Sequence, residues 1–307
     1  MKTLITTILI LFATVTIFAQ NRFDVFYVAG NYNFMNTTPV NVDKNYESAI
    51  MANLKIPIVF KDSSIWYTSI DYQNFSMFNE YTIPDGGPVS IYDKFNLHGF
   101  ILRTGYIHKF NEKQSLQILF APRFMGDFNA SFSKSLQLGG ILMYEKVKSE
   151  NYTWRVGVLY NQEFFGAYIV PVYYLDWNVT SKIKIKGLLP VYGKIYMQPS
   201  EKLSYGLHFI GLTTSYRINE PDFENYYVDR RSIDVSAFTN VNLFDNVFME
   251  ARAGYSLSRD YGLFAENDKI DLGLPLVNIG DDRTRVNNEF DGSPFIHIRL
   301  IYSIPVN

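Results

Sequence analysis

In Tyr152-Thr153-Trp154-Arg155-Val156-Gly157-Val158-Leu159-Tyr160-Asn161, every second residue is large and apolar, and Thr153, Arg155, Gly157, Leu159 and Asn161 fall between. That period of two is a strand with one apolar and one polar face. A helix would space its apolar residues by three and four. Ser232–Leu243 repeats the pattern, with Ile233, Val235, Ala237, Thr239, Val241 and Leu243 opposing Ser232, Asp234, Ser236, Phe238, Asn240 and Asn242. Val247–Ser258 repeats it again, with Met249, Ala251, Ala253 and Tyr255 opposing Glu250, Arg252, Gly254 and Ser256.

Working outward, fourteen such segments are predicted, near 22–32, 46–60, 64–77, 96–110, 115–126, 135–146, 151–164, 167–178, 182–189, 191–198, 202–217, 230–244, 247–259 and 294–304. The Pro-interrupted pair 182–189 and 191–198 is the weakest, so the count runs from twelve to fourteen. Short polar turns, such as Asn111-Glu112-Lys113-Gln114 and Asp245-Asn246, alternate with longer connections at 33–45, 78–95, 217–229 and 260–293. Short turns at one end and long loops at the other are the layout of an antiparallel, up-and-down transmembrane β-barrel. Most segments reach the length of about 9–11 residues that a tilted spanning strand needs. Tyr144, Tyr152, Trp154, Tyr160, Tyr205, Tyr255 and Tyr302 stand near strand ends, where an apolar ring with a polar tip suits a membrane interface. A soluble sandwich or lipocalin-like barrel is the competing fold, but small soluble up-and-down barrels close at eight strands.

The N-terminus reads as an address. Met1-Lys2, the apolar run Thr3–Phe18 and the exit Ala19-Gln20-Asn21 form a secretory signal peptide over residues 1–19, leaving 20–307 as one barrel domain. Composition agrees. The 307 residues hold 51 aromatics counted as 23 Tyr, 25 Phe and 3 Trp, yet only 19% are charged and the net charge is −2. Nucleic-acid binding through bulk positive charge is excluded, and with no cysteine there are no disulfides or thiolate sites.

Leu189-Pro190-Val191-Tyr192-Gly193-Lys194-Ile195, followed by a turn and Leu203-Ser204-Tyr205-Gly206, resembles a family of Gram-negative outer-membrane β-barrel proteins of unknown function. The Phe18-Ala19-Gln20 exit resembles it too, and the likeness covers most of 21–307. It implies a barrel in the outer membrane of a Gram-negative bacterium, and it brings no catalytic residue. An even strand count puts both termini in the periplasm. Outer-membrane lipid and the barrel-assembly machinery are the implied partners. The final segment departs from many such barrels, since Ile304-Pro305-Val306-Asn307 follows Tyr302 in place of a terminal aromatic.

No residue pattern points to a cofactor, a metal or a catalytic site. The four histidines, His98, His108, His208 and His297, form no HExxH or i, i+4 pair. Ser204 with His208, and Ser303 with His297, are the pairs that a lipid-acting enzyme could use. The polar strand faces say more. Arg103, Arg123, Glu145, Arg155, Lys184, Lys186, Glu250, Arg252, His297 and Arg299 share the less apolar parity. A charge facing hydrocarbon at mid-depth costs about 2–4 kcal/mol, so these residues are expected to line the lumen. Tyr152, Trp154, Val156, Val158 and Tyr160 are expected to face lipid. Arginine at Val156 or Val158 should then impair assembly, and be better tolerated at Gly157 or Asn161. The lumen is either a porin-like, basic-biased path for a small polar solute, or an interior sealed by paired charges in a structural or adhesive barrel whose loops make the contacts. Loop 260–293, with Glu266-Asn267-Asp268 and Gly280-Asp281-Asp282-Arg283, could constrict the lumen, hold a cation or meet a partner.

Overall fold

A computed structural model describes residues 22–34, 46–82, 90–220, 223–287, 289–290 and 292–305, without the side chains of 78–93. The expected signal peptide, the 35–45 connection and part of the 78–95 connection lie outside the described residues. Strand pairing closes into a 14-strand antiparallel barrel. Its strands are β1 (Arg22–Phe34), β2 (Tyr46–Val59), β3 (Ile65–Thr82), β4 (Ser90–Asn111), β5 with β6 (Gln114–Phe120, Arg123–Gly126), β7 with β8 (Leu136–Gln137, Gly139–Ser149), β9 (Tyr152–Glu163), β10 (Gly166–Asn178), β11 (Ile183–Leu189), β12 (Tyr192–Ser200), β13 (Leu203–Ile218), β14 (Tyr226–Phe244), β15 (Val247–Ala265) and β18 (Ser293–Pro305). A small hairpin, β16 (Leu272–Leu274) and β17 (Val277–Ile279), decorates the longest loop. The ring closes where β1 pairs with β18, Tyr27 opposite Ile301 and Gly30 opposite Ile298. Leu189–Pro190, in the tight β11–β12 connection, is a cis peptide.

All fourteen expected strands are present, including the Pro-interrupted pair. Ile50, Ile118, Ile195, Leu207 and Ile298, from strands around the ring, are each more than half exposed. Such an outward apolar band is what lipid contact requires. In β9, Val156 and Tyr160 are exposed while Thr153 and Glu163 are buried, so the even face points outward. Tyr152, Trp154 and Val158 share that face, and the Tyr152 hydroxyl lies 2.7 Å from that of Tyr173. Gly157 requires a correction. A Cβ there would sit 2.1 Å from the Leu142 carbonyl oxygen, so no larger residue is tolerated despite its inward parity.

β3, β4, β14 and β15 each run several residues past the sequence reading. β14 and β15 continue to Tyr226 and Ala265, past the expected limits at 230 and 259. Alternation stops there. Thr214–Ile218, Tyr227–Arg230 and Tyr261–Phe264 are unbroken buried runs. Successive strand residues point to opposite faces, so this ribbon is covered on both. Tyr216, Val228, Tyr261 and Leu263 pack with Phe75, Met77, Leu97 and Met125 of β3, β4 and β6. Tyr227 and Phe264, on the other face, pack with Met143, Tyr168, Val170 and Val172 of β8 and β10. The loop ends of β13–β15 therefore leave the wall and fill the barrel mouth. Arg217 of β13 reaches Gly126 of β6 across the ring, where the Asp127 N–H donates to the Arg217 carbonyl at 3.1 Å.

Two local features allow the bend. The β11–β12 hairpin is only 7 and 9 residues long, so β13 loses its wall partner beyond Gly211. A β-bulge at Leu257, between the Ile233–Ser258 and Asp234–Ser256 pairs, adds a residue to β15. Bulges bend a strand and raise its twist. This one also switches the inward parity of β15, from Glu250, Arg252 and Ser256 to Arg259, Tyr261 and Leu263.

Candidate functional site

The lumen has two halves. In the loop half, Glu47 of β2 is fully buried and takes hydrogen bonds from Arg230 (3.1 Å), Arg259 and the Tyr261 hydroxyl. Arg259 also donates to Asp234 at 2.5 Å, and the Arg230 guanidinium lies 3.9 Å from the Phe75 ring centroid. Two carboxylates thus neutralise two guanidiniums, one layer below the apolar packing. On the ribbon's opposite face, Glu163 accepts from Arg123 at 3.1 Å and from the Ser215 N–H and hydroxyl at 2.9 and 2.7 Å. Gln137 donates to the Ser215 hydroxyl at 3.0 Å. Both faces of the inserted ribbon are latched by buried polar groups.

The turn half differs. The ion-paired cations there keep contact with solvent, from 10% of the Arg252 side chain to 32% of Arg103, while Glu250 among them is 1% exposed. Lys55, Arg103, Arg155, Lys184, Lys186, Lys194, Arg252 and Arg299 face Asp24, Asp71, Glu145, Asp176 and Glu250, a clear basic excess. Pairing is extensive: Arg103 with Asp71, Arg155 with Glu145 (2.5 Å), Lys186 with Asp176 (3.3 Å) and Arg299 with Asp24 (3.2 Å). Glu250 takes Lys194 at 2.7 Å on one oxygen and the Arg252 Nε at 2.8 Å on the other. A cavity of about 110 Å³ opens toward the turn end, with Gln117, Glu145, Thr153, Arg155, Tyr174 and Asp176 in its lining.

The sequence-assigned lumen residues are therefore brought into one interior, with one division among them. Arg103, Glu145, Arg155, Lys184, Lys186, Glu250, Arg252, His297 and Arg299 belong to the solvated half, while Arg123 lies in the packed half. His208 faces Arg252, whose Nη1 donates to its Nδ1 at 3.2 Å, and Ser204 shares its face. Glu47, Arg230, Arg259, Asp234 and Glu163, which close the mouth, were not singled out from sequence, and neither was Lys194. Adjacent Arg230-Arg231 and the two-parity apolar run Tyr261–Phe264 were the available signals, because a strand buried on both faces loses its alternation.

Loop 260–293 folds onto the mouth. The Ile270 N–H donates to the Phe165 carbonyl at 2.8 Å, and Gly273 meets Tyr168 in a parallel bridge. Arg283 holds Asp281 in two hydrogen bonds of 2.8 and 2.9 Å, which keep that carboxyl well below its ordinary range. Among the described residues, no three His, Cys, Asp or Glu side chains are grouped to hold a metal, and no helix is long and apolar enough to cross a membrane.

No curated protein sequence matches the chain. Among solved structures, it is similar in fold to the NanC porin (9% identity, TM-score 0.38, 91% of this chain and 99% of that one). It is similar in the same way to a deletion mutant of the TodX monoaromatic hydrocarbon channel (11%, 0.42, 97% and 94%) and to a Pseudomonas aeruginosa FadL homologue (8%, 0.31, 92% and 90%). At such identities the likeness is one of fold alone. A family model matches far more specifically, over residues 15–268, and the chain belongs to that family, the domain of unknown function DUF6268.

Proposed function

We propose that the protein is a gated outer-membrane barrel that admits a small polar solute, anionic by preference, when the β13–β15 ribbon leaves the mouth. Residues 1–19 act as an export signal, the assembly machinery inserts the barrel, and the turn end with both termini faces the periplasm. The observation that carries this reading is the contrast between the two halves. A solvated lumen with surplus positive charge lies beneath a mouth closed by strands of the wall itself. Surplus charge inside a low-dielectric wall concentrates counter-ions, which gives the anion preference.

The test is conductance of the full protein in a planar bilayer. The resting barrel should be near silent, and Glu47→Gln should open it, with a reversal potential under a salt gradient that favours anions. A cation preference would sink the lumen assignment. The extensive charge pairing favours a second reading, a structural barrel with a permanently sealed lumen. A Glu47→Gln barrel as silent as the parent would select that one.

A further inference from the structure

Around Arg252 the solvated lumen holds more donor capacity than its acids use. Cross-strand pairing sets Lys194 opposite His208, His208 opposite Ser236 and Arg252 opposite His297, with Glu250 opposite Arg299. Both Glu250 oxygens are engaged, by Lys194 and by Arg252, and Arg299 is held by Asp24 near the strand end. Three fixed cations thus meet two carboxylates. The His208 ring accepts from Arg252, so it is neutral and adds no charge. Against that excess stand polar atoms with no partner. His297 is more than nine-tenths buried, yet its Nε2 bonds to nothing. It is the direct cross-strand neighbour of Arg252, on the luminal face. The Arg299 Nε and the hydroxyl of the buried Ser236 are unpartnered too. Buried polar groups are nearly always hydrogen-bonded, so several orphans around one guanidinium mark a place built for something else.

We infer that Arg252, Arg299 and His297 form a binding site for an oxyanion, the carboxylate or phosphate group of a small solute, in the solvated half of the lumen. Arg252 and His297 are direct cross-strand partners, Arg299 lies two residues on along the same face, and charge-assisted bonds to an oxyanion are about twice as strong as neutral ones. Glu250, itself fixed by Lys194 on its other oxygen, holds Arg252 in place, while Ser236 offers a hydroxyl on the same face. This inference rests on the solute-binding lumen proposed above, but it needs no opening of the ribbon, so the two fail separately.

The experiment uses the full chain, folded in detergent and checked by heat-modifiable gel mobility. Isothermal titration and thermal unfolding are followed with sodium phosphate and sodium succinate as probes, at ionic strength fixed with sodium chloride. At least one probe should bind saturably and raise the unfolding temperature. His297→Phe, which keeps a ring and removes the donor, should weaken that binding ten-fold or more. The paired variant Arg252→Gln with Glu250→Gln, which removes one charge of each sign, should abolish it. Lys113→Gln, in an exposed turn, should leave it unchanged. No saturable response to either probe, or equal affinity in the parent and in His297→Phe, would overturn the inference. Saturable binding lost in His297→Phe would sustain it even where Glu47→Gln stays silent in a bilayer.

Discussion

Glu47→Gln is the sharpest perturbation of the closed mouth. The parent carboxylate is fully buried and receives Arg230, Arg259 and Tyr261, with the Asn31 amide at 3.3 Å as well. The substitution keeps the shape and removes the charge, leaving Arg259 with Asp234 and the buried Arg230 with no carboxylate. Removing one partner of a buried ion set costs about 3–5 kcal/mol, because the remaining charge stays out of water without compensation. At 1.4 kcal/mol per ten-fold, the seating of the ribbon should weaken by a factor on the order of 10²–10⁴. Glu145→Gln provides the contrast. Its carboxylate also pairs with an arginine, Arg155, but the two side chains keep 21% and 28% exposure, so solvent screens the pair. That loss should cost about 1 kcal/mol or less. Hydrogen exchange read by mass spectrometry checks both. Glu47→Gln should speed exchange in Tyr226–Arg231 and Arg259–Phe264, leaving the turn-end strands unchanged, and Glu145→Gln should alter neither segment. Equal and small effects from both substitutions would refute the division of the lumen into a packed and a solvated half.

Val156→Arg should lower the yield of heat-modifiable, folded barrel, by a cost of about 2–4 kcal/mol at mid-membrane. Gln117→Arg, on the luminal face beside the cavity, should assemble near normally, and equal yields would count against the outward assignment of β9. Gly157→Ala should impair folding despite its small size, because the new methyl group meets the Leu142 carbonyl; wild-type thermal stability would contradict this. Asp281→Asn should loosen the Arg283 guanidinium, which Asp229 and the Tyr227 hydroxyl still hold to β14 at 3.1 and 3.2 Å, seen as modestly faster tryptic cleavage at Arg283 and Arg285. Because the Asp281 carboxyl is held low, its contribution is complete above an unfolded value of about 4 and is lost as pH falls from there toward the depressed value. Pepsin cleavage of the loop should therefore rise on acidification below about pH 4 in the parent, and stay flat in Asp281→Asn.

The strand count and the outward face of the wall were legible because they depend on side-chain parity. Tyr152–Asn161 alternates cleanly, and the wall around it obeys the same rule. The luminal charges of the solvated half were legible for the same reason: Glu145 and Arg155 sit on adjacent strands at paired positions, Glu250 and Arg252 two apart on one strand. The closed mouth was not legible, and the bulge explains much of that. Leu257 shifts the parity of β15 by one residue, so Arg259, counted in phase with Glu250, reads as outward although it is almost fully buried. Glu47 stands one residue after the start of β2, too near the end for alternation to place it. Lys194 lies just beyond the Pro190 turn, in the segment where strand assignment was weakest.

The composition of the two halves argues for a movable closure. A permanent seal needs only apolar packing, and replacing a buried ion set by well-packed hydrophobic groups is often neutral or stabilising. Here Glu47, Asp234, Arg230 and Arg259 lie at the junction where the ribbon leaves the wall, beneath an apolar layer that already fills the mouth. What they add is position. Glu47 belongs to β2 and its cationic partners to the ribbon, so the ribbon is fully compensated in one register and leaves charges unpaired in any other. On the ribbon's far side, Glu163 binds Ser215 through both its N–H and its hydroxyl, fixing β13 at one height against the β9–β10 connection. A register fixed from both faces, on strands freed from the wall by the short β11–β12 hairpin and bent at a bulge, has the parts of a two-position element: discrete seating, a hinge and room below it. The solvated, positively biased lumen is the space that such an element would open.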